Sequence, residues 1–385
     1  MAQIYTLGGQ ICTMAGGAAA GVPSFFPAPG FTYSGVFGNY QNFTLNYPAG
    51  GLGAKSPALP YALFQFGEDG TTTYNTDPTY SANTFTQTAS TAAQVAYQTS
   101  ILPGGNAQAA LSWIPNYNAS NSSACFGNGA STINVTGGYG SQLYIWRKTY
   151  CAFSAIADNI KTLRLWPAAG IGNHPDAYFS YNSGFGDYTT TIECVTGNPV
   201  FSGLNSFGGS SSSAIPYSTA VNQWFTDELF WQESTLNNTD GILQIARNAQ
   251  MAYALAGRWS QNNTANGNNT PYQFVNLDEF TSGSITHVPN GTTDIMYYGL
   301  HYFDTNFLQS FTSNEGTSYY TTQLTHPINT GSDRFREIQI QTLRTDTEID
   351  YYLRRGAQSI GSPYSLFVQT GYGTAIYAGY GIWQQ

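Results

Sequence analysis

Residues 161–167, KTLRLWP, carry the pattern that decides the fold class. Leu163 and Leu165 alternate with polar or aromatic residues, which is the period of two that is typical of a half-buried β-strand. Similar blocks occur between residues 144 and 259, and they are joined by Gly, Asn, Ser and Asp turns such as 182–186. The pattern therefore predicts an antiparallel β-sandwich rather than a helical protein.

The order of the strand-like blocks along the chain is similar to that of a known β-sandwich superfamily. After KTLRLWP come DAYFSY at 176–181, WFTDELFW at 224–231, DGILQIARN at 240–248 and IMYYGLHYFD at 295–304. In this order they resemble the jelly-roll sandwich of concanavalin A-like lectins and glucanases, over about two thirds of the chain. That superfamily contains sugar binders, glycosidases, lyases and structural modules, so the resemblance implies a fold and leaves the activity open.

Three parts of the chain differ in character. Residues 1–35 are rich in Gly, Ala and Pro and carry no charge, so we expect an arm that becomes ordered on a neighbouring subunit or a larger assembly, with a disordered tail as the alternative. Residues 36–310 are predicted to form the jelly-roll domain. Residues 311–385 resemble the small immunoglobulin-like β-sandwich that accompanies such jelly rolls, with clean alternation at 337–341. A helix-compatible run at 247–256 follows an Asp-Gly turn and is predicted to form strands.

The composition is poor in charge and rich in aromatic residues. Of the 385 residues, 9% are charged and 15% are aromatic, and the formal net charge is -9. A nucleic-acid partner is disfavoured, because phosphate backbones are bound by clustered Lys and Arg. The polarity of the surface must therefore come from Asn, Ser, Thr, Gln and Tyr.

The beginning of the sequence lacks the marks of an export signal. No Lys or Arg precedes Lys55, so the charged region of a signal peptide is missing, and no stretch approaches 18 uninterrupted apolar residues. We therefore expect neither secretion by that route nor membrane insertion. A polar surface without an export signal fits particles that assemble in a host cytoplasm and are released by lysis, which predicts a location in a virion.

The cysteines give no metal signature. Cys12, Cys125, Cys151 and Cys194 show no C-x-x-C or Cys/His spacing typical of zinc. Four cysteines would allow three disulfide pairings, and no pairing is favoured. Isolated buried thiols are the simplest interpretation, because free Cys packs as a small hydrophobe. No metal or cofactor is predicted.

Paired catalytic carboxylates are missing. The resemblance would imply an E-x-D-x-x-E type strand in a glucanase, because retaining hydrolysis needs an acid and a nucleophile close together. The nearest groupings are Asp227, Glu228 and Glu233, and Asp278 with Glu279. Adjacent residues of a strand point to opposite faces, and Asp227 and Glu233 are too far apart along an extended chain to converge. A glycosidase is therefore disfavoured.

Lyases of the same fold need a Tyr or His base, together with Arg, Gln or Asn groups that neutralise a uronate carboxylate. The four histidines and 29 tyrosines provide candidates. However, the R-x-E-L-R and Y-x-K-x-G-x-Y strands that alginate-lyase members would imply are not found, and neither is a G-x-S-x-G nucleophile motif. The sequence leaves enzymatic activity open and favours its absence.

Carbohydrate binding is the chemistry that remains. Aromatic side chains on a sheet face stack on sugar rings, and nearby polar groups bond sugar hydroxyls. Six candidate residues occupy alternate positions of their strands, so that they are compatible with one concave face. They are Arg164, Trp166, Tyr178, Ser180, Glu228 and Gln232. Packing of the aromatic residues against a neighbouring module or subunit is the alternative.

Together these features predict a virion structural protein, such as a bacteriophage head-decoration, fibre or tail component with a lectin-like jelly roll. A polysaccharide-degrading lyase or glycosidase of the same fold is the alternative, and a stand-alone lectin is the third hypothesis. The predicted partners are further copies of the chain and other virion proteins, with cell-surface glycans as a further candidate. A homo-oligomer is expected because 12 basic and 21 acidic residues leave few charges to protect edge strands.

Overall fold

A computed structural model describes the backbone of a large part of the chain. The described residues are 3–7, 10–14, 23–55, 62–69, 95–104, 107–113, 123–126, 142–152, 160–167, 176–182, 189–195, 222–232, 241–248, 250–259, 272–280, 295–314, 336–372 and 374–384. Within them there are 23 strands, β1–β23, and no helix. All the strand pairs are antiparallel, which confirms the predicted all-β sandwich class.

Two sheets form the middle of the chain. The large sheet runs in the order β16 (Gln250–Trp259), β15 (Gly241–Arg247), β14 (Trp224–Gln232), β10 (Gln142–Ala152), β18 (Ile295–Asp304), β8 (Ala110–Trp113) and β7 (Val95–Gln98), and β6 (Ala62–Phe64) also pairs with β18. The five-stranded sheet runs in the order β13 (Thr189–Val195), β12 (Asp176–Asn182), β11 (Ile160–Pro167), β17 (Tyr272–Phe280) and β9 (Ser123–Phe126).

The two ends of the chain share a third sheet, here called the terminal sheet. Its order is β3 (Phe25–Pro27), β23 (Thr374–Ile382), β22 (Pro363–Gly371), β19 (Ser310–Ser313), β20 (Arg336–Arg344), β21 (Glu348–Tyr352), β5 (Asn42–Asn46) and β4 (Thr32–Gly35). A separate hairpin pairs β1 (Gln3–Leu7) with β2 (Gln10–Met14). The terminal sheet therefore combines strands from both sides of residue 35 with strands after residue 309. The division into 1–35, 36–310 and 311–385 stays a prediction.

The terminal sheet closes on itself through aromatic contacts. The ring of Phe25 on β3 lies 5.2 Å from that of Tyr33 on β4 and 5.0 Å from that of Phe43 on β5. The first and last strands of the sheet therefore meet around a common core, which also contains Phe37 and Trp383. Burial of each such side chain contributes about 1.5–3 kcal/mol. Phe25 lies within the predicted arm, yet its ring is buried by the chain itself.

The strand after residue 247 illustrates how a turn overrides helical spacing. β15 ends at Arg247, Asn248 has a φ of 47°, and β16 begins at Gln250. Asn tolerates this left-handed backbone conformation better than most residues. The prediction of strands in this run is confirmed.

The large sheet packs on the terminal sheet through a mixed apolar core. Tyr144 and Trp146 of β10 are buried there with Tyr302 of β18, and they meet Ile338 and Ile340 of β20. The alternation at 337–341 correctly marks a strand. Its polar positions are nevertheless buried as well, so both faces of this part of β20 are covered.

Candidate functional site

The five-stranded sheet brings together four of the six predicted sugar-binding residues. Arg164 and Trp166 lie on β11, and Tyr178 and Ser180 lie on the adjacent strand β12. Arg164 is the direct cross-strand partner of Tyr178, and Ser180 is the partner of Lys161. The backbone register thus places these predicted residues on neighbouring strands, with two of them directly opposite each other.

Two further polar residues continue the same line across the sheet. Glu193 of β13 is the partner of Tyr178, and Asn276 of β17 is the partner of Arg164. The polar row therefore consists of Glu193, Tyr178, Arg164 and Asn276 on four adjacent strands. Glu193 and Asn276 could not be predicted from the sequence, because alternation within one strand does not reveal which residue of another strand lies opposite it.

The row beside the polar row is apolar. Leu165 of β11 has Ala177 and Val275 as its partners, and Ala177 in turn pairs with Cys194. Successive residues of a strand belong to opposite faces of a sheet. The register thus assigns the polar row and the apolar row to different faces of the five-stranded sheet.

Glu228 and Gln232 lie elsewhere, on β14 of the large sheet. Glu228 is 2% exposed, and its carboxylate accepts a hydrogen bond from the Tyr144 hydroxyl at 3.1 Å. Arg336 of the terminal sheet donates to both carboxylate oxygens of Glu228, at 3.3 and 3.4 Å. Gln232 accepts a hydrogen bond from Gln142 at 3.0 Å. The six predicted residues are thus divided between two sheets, and Glu228 is engaged beneath the terminal sheet.

The environment of Glu228 suppresses ionisation of Tyr144. Burial raises the pKa of the Tyr144 phenol well above its usual value, and the neighbouring Glu228 carboxylate raises it further. Tyr144 therefore stays a neutral hydrogen-bond donor and is not a base at ordinary pH. Tyr144 and Glu228 are thus both engaged at the contact between the large sheet and the terminal sheet.

A buried charge network continues the contact between the two sheets. Glu337 of β20 accepts hydrogen bonds from Lys148 at 2.7 Å and from Arg354 at 2.6 Å. Arg354 also binds the carboxylate of Glu68. Burial alone would raise the pKa of Glu337, but Lys148 and Arg354 outweigh it and hold the pKa below its usual value. The network thus consists of alternating charges, each of which has an opposite neighbour.

Glu68 contacts the large sheet where the register between two of its strands shifts. The pairing of β10 with β18 shifts register between Arg147 and Thr149, opposite Gly299 and Leu300. Glu68 accepts a hydrogen bond from the Leu300 N–H at 2.8 Å, and a Cβ at Gly299 would lie 2.4 Å from its Oε1. A side chain at residue 299 would displace this carboxylate, so the glycine lets Glu68 approach the backbone of β18 closely.

The other face of the large sheet carries a buried histidine. His301 is the cross-strand partner of Arg147, which is itself paired with Asp227, with 3.7 Å between Arg147 Nε and Asp227 Oδ2. His301 Nδ1 lies 3.0 Å from the carbonyl oxygen of Gly299, which favours a proton on Nδ1. Burial and then Arg147 lower the pKa of His301 to about 3. The imidazole is neutral at ordinary pH and, at 0% exposure, is closed to a substrate.

In the part of the chain that the structure describes, no three His, Cys, Asp or Glu side chains are grouped so as to hold a metal ion. The described strands and loops also include no helix with the length and apolar character needed to cross a membrane.

Solved structures similar to this chain include three polysaccharide lyases. Alginate lyase Aly36B is 13% identical with a TM-score of 0.40, and the match covers 64% of this chain and 98% of that one. The PL-14 alginate lyase from Aplysia kurodai is 12% identical with a TM-score of 0.37, and the endo-β-1,4-glucuronan lyase from Trichoderma reesei is 12% identical with a TM-score of 0.33. Each of these two matches covers 55% of this chain and 87% of the other.

No family model matches the sequence, and no curated protein matches it. At identities and TM-scores this low, the activities of the similar structures do not transfer to this chain.

Proposed function

We propose that this protein binds an acidic polysaccharide at the polar row of the five-stranded sheet. The observation that supports this is the register, in which Arg164 and Tyr178 are direct partners. Direct partners have Cβ atoms about 4.5–5.5 Å apart, so the two groups can reach one sugar residue. A guanidinium matches the geometry of a carboxylate, which points to a polysaccharide that contains uronate.

An aromatic pair accompanies the polar row. Trp166 follows Arg164 by two residues on β11 and therefore belongs to the same face, and Phe274 is its partner on β17. Aromatic rings provide large apolar contact surfaces, and a few polar groups beside them fix the orientation of a ligand. The predicted residues Arg164, Trp166 and Tyr178 thus share one surface, with Ser180 at its border.

A polysaccharide lyase is the second candidate, and the pairing of Tyr178 with Arg164 favours it. In β-elimination a base takes the proton beside the uronate carboxylate, a carbon–carbon double bond forms, and the glycosidic oxygen leaves with the bonding pair. Tyr178 would be the base, while Arg164 and Asn276 would neutralise the carboxylate. Positioned acid–base and electrostatic groups of this kind supply most of the rate enhancement in such reactions.

Calorimetric titration of the full chain with alginate tests the binding. Wild type should bind alginate, and Arg164→Ala should weaken that binding by about tenfold or more, as expected for loss of a central charged contact. Thr190→Ala is the control, because Thr190 of β13 pairs with Tyr181 and so belongs to the other face. Absence of binding to any acidic polysaccharide contradicts the proposal, as does an equal loss in both variants.

The ultraviolet absorbance of an unsaturated uronate product separates binding from cleavage. A lyase should release this product from alginate, and Tyr178→Phe should abolish the release while binding is retained. If wild type binds alginate and releases no such product, the lyase candidate is rejected and the proposal of polysaccharide binding without cleavage is retained.

The role as a virion component stays a prediction, together with the homo-oligomer and the location in a virion. A lectin-like site is compatible with a surface-exposed component of a particle, and equally with a stand-alone lectin. Mass spectrometry of purified particles tests the prediction. Detection of the chain only as a free protein contradicts it.

A further inference from the structure

Three aromatic residues lie side by side near one end of the large sheet. Tyr150 of β10 is the direct partner of both Trp224 of β14 and Tyr297 of β18. The ring centroids of Tyr150 and Trp224 are 5.8 Å apart, and those of Tyr150 and Tyr297 are 5.5 Å apart. Trp224 and Tyr150 are partly exposed, whereas Tyr297 is 8% exposed. These three residues are here called the aromatic row.

The aromatic row continues into an open surface. Ser112 of β8 is the partner of Tyr297, and exposed Ala96 of β7 is the partner of Ser112. The Ser112 hydroxyl donates to the Ala96 carbonyl oxygen at 2.8 Å, an exposed contact. On the same side of β10, Lys148 two residues earlier is buried against Glu337. Tyr150 and Trp224, in contrast to Lys148, are partly exposed.

The rim of the aromatic row is polar and uncharged. Asn222 and Gln223 precede Trp224 and are exposed. Asn248 is also exposed, and its Oδ1 accepts the N–H of Thr226 at 2.9 Å, which leaves its amide N–H groups as donors. These carboxamides can donate to and accept from sugar hydroxyls, since each carries both kinds of group.

Trp224 itself has an unmet hydrogen-bonding group. Its Nε1 is buried and has no hydrogen-bond partner among the described residues. An indole N–H normally finds a partner when it is buried. A ligand hydroxyl oxygen that reaches this Nε1 would therefore add a hydrogen bond that the described residues do not supply.

The local charges decide which class of ligand fits. The nearest cation along β10 on this side is Lys148, which is already paired with Glu337 at 2.7 Å. The described residues of the aromatic row and of its rim, Asn222, Gln223 and Asn248, include no cation that could pair with an anionic ligand. We propose that the aromatic row is a binding site for a neutral polysaccharide, separate from the polar row and independent of the function proposed there.

Affinity electrophoresis of the full chain in gels that contain β-glucan, mannan, starch or alginate tests this site. Wild type should be retarded by at least one neutral polysaccharide. Trp224→Ala should weaken that binding by about tenfold, as expected for loss of an aromatic anchor. Arg164→Ala should leave it unchanged, so a failure of the polar row and a failure of the aromatic row give different results.

Two variants control for folding and specificity. Tyr352→Ala removes an exposed aromatic residue of the terminal sheet and should leave the retardation unchanged. Gln223→Ala alters only an exposed side chain and should weaken binding by about threefold to tenfold if its amide bonds the sugar. The proposal is overturned if no neutral polysaccharide retards wild type. It is also overturned if Tyr352→Ala weakens binding as much as Trp224→Ala, or if Gln223→Ala and Trp224→Ala both bind normally.

Discussion

Lys148 of the large sheet and Glu337 of the terminal sheet form a buried ion pair, with 2.7 Å between Nζ and Oε1. Their side chains are 3% and 0% exposed. Two charges removed from water at such a contact are tolerated only when further partners satisfy them, and Arg354 and the Ala357 N–H supply these to Glu337. Loss of one of these charges would therefore leave its partner buried without full compensation.

Removal of the Glu337 carboxylate should destabilise the protein. Glu337→Gln leaves Lys148 and Arg354 as buried cations without their shared partner, and breaking such a pair costs about 3–5 kcal/mol. Urea denaturation measures the loss in free energy of unfolding. Glu348→Gln is the matched control, because Glu348 is only partly buried and its change should stay within about 0.5 kcal/mol. Equal stability of the two variants would contradict this account of the network.

The same carboxylate should make stability depend on pH. The folded-state pKa of Glu337 lies below its unfolded value. Its contribution is therefore fully present above the unfolded pKa of about 4.3 and is lost as pH falls through the folded pKa. We expect the free energy of unfolding of wild type to fall more steeply below about pH 4 than that of Glu337→Gln. Parallel curves for the two proteins would show that Glu337 does not titrate with unfolding.

A glycine in β23 should be intolerant of a side chain. A Cβ at Gly381 would lie 2.2 Å from the ring of Phe37, which is fully buried. Gly381→Ala should destabilise by about 1–3 kcal/mol or more through overpacking. Gly371→Ala on β22 is the control, because a Cβ there meets nothing within 4 Å. Thermal melting compares the two variants, and a Gly381→Ala protein as stable as the control would mean that the ring of Phe37 moves aside freely.

Individual strands were predictable from the sequence, whereas the contacts between side chains of distant strands were not. The alternation in β11 and β20 identifies both strands. Burial of Glu228 depends on Arg336, which is 108 residues away, so no local pattern signals it. The same holds for Glu337, whose polar appearance suggests an exposed face until Lys148 and Arg354 are placed against it. Cross-strand register decides these contacts, and register is not encoded in the period of one strand.

For the predicted site residues, too, the sequence indicated the face of the strand but not the sheet to which the strand belongs. Arg164 and Tyr178 were selected because their parities agree, and the register makes them direct partners. Glu228 has an equally suitable parity, yet it belongs to another sheet, because the strand that follows β13 joins the large sheet. Parity within a strand thus selects a face, and only the strand order selects the sheet.

The last prediction concerns the N-terminal residues. Residues 1–35 are predicted to form an arm that becomes ordered on a neighbouring subunit or a larger assembly, but Phe25 is buried in the core of the terminal sheet. Deletion of residues 2–30 removes β3 and this ring, and loss of a buried Phe costs about 3–5 kcal/mol.

Deletion of residues 2–22 keeps β3 and should retain most of the stability. Urea denaturation of both truncated proteins separates the contribution of β3 from that of the preceding segment. Size-exclusion chromatography with light scattering then shows whether residues 2–22 alone govern assembly. A folded 2–22 deletion that has lost the oligomer of the full chain supports an arm confined to those residues, whereas an unchanged oligomer means that the arm makes no contribution to assembly.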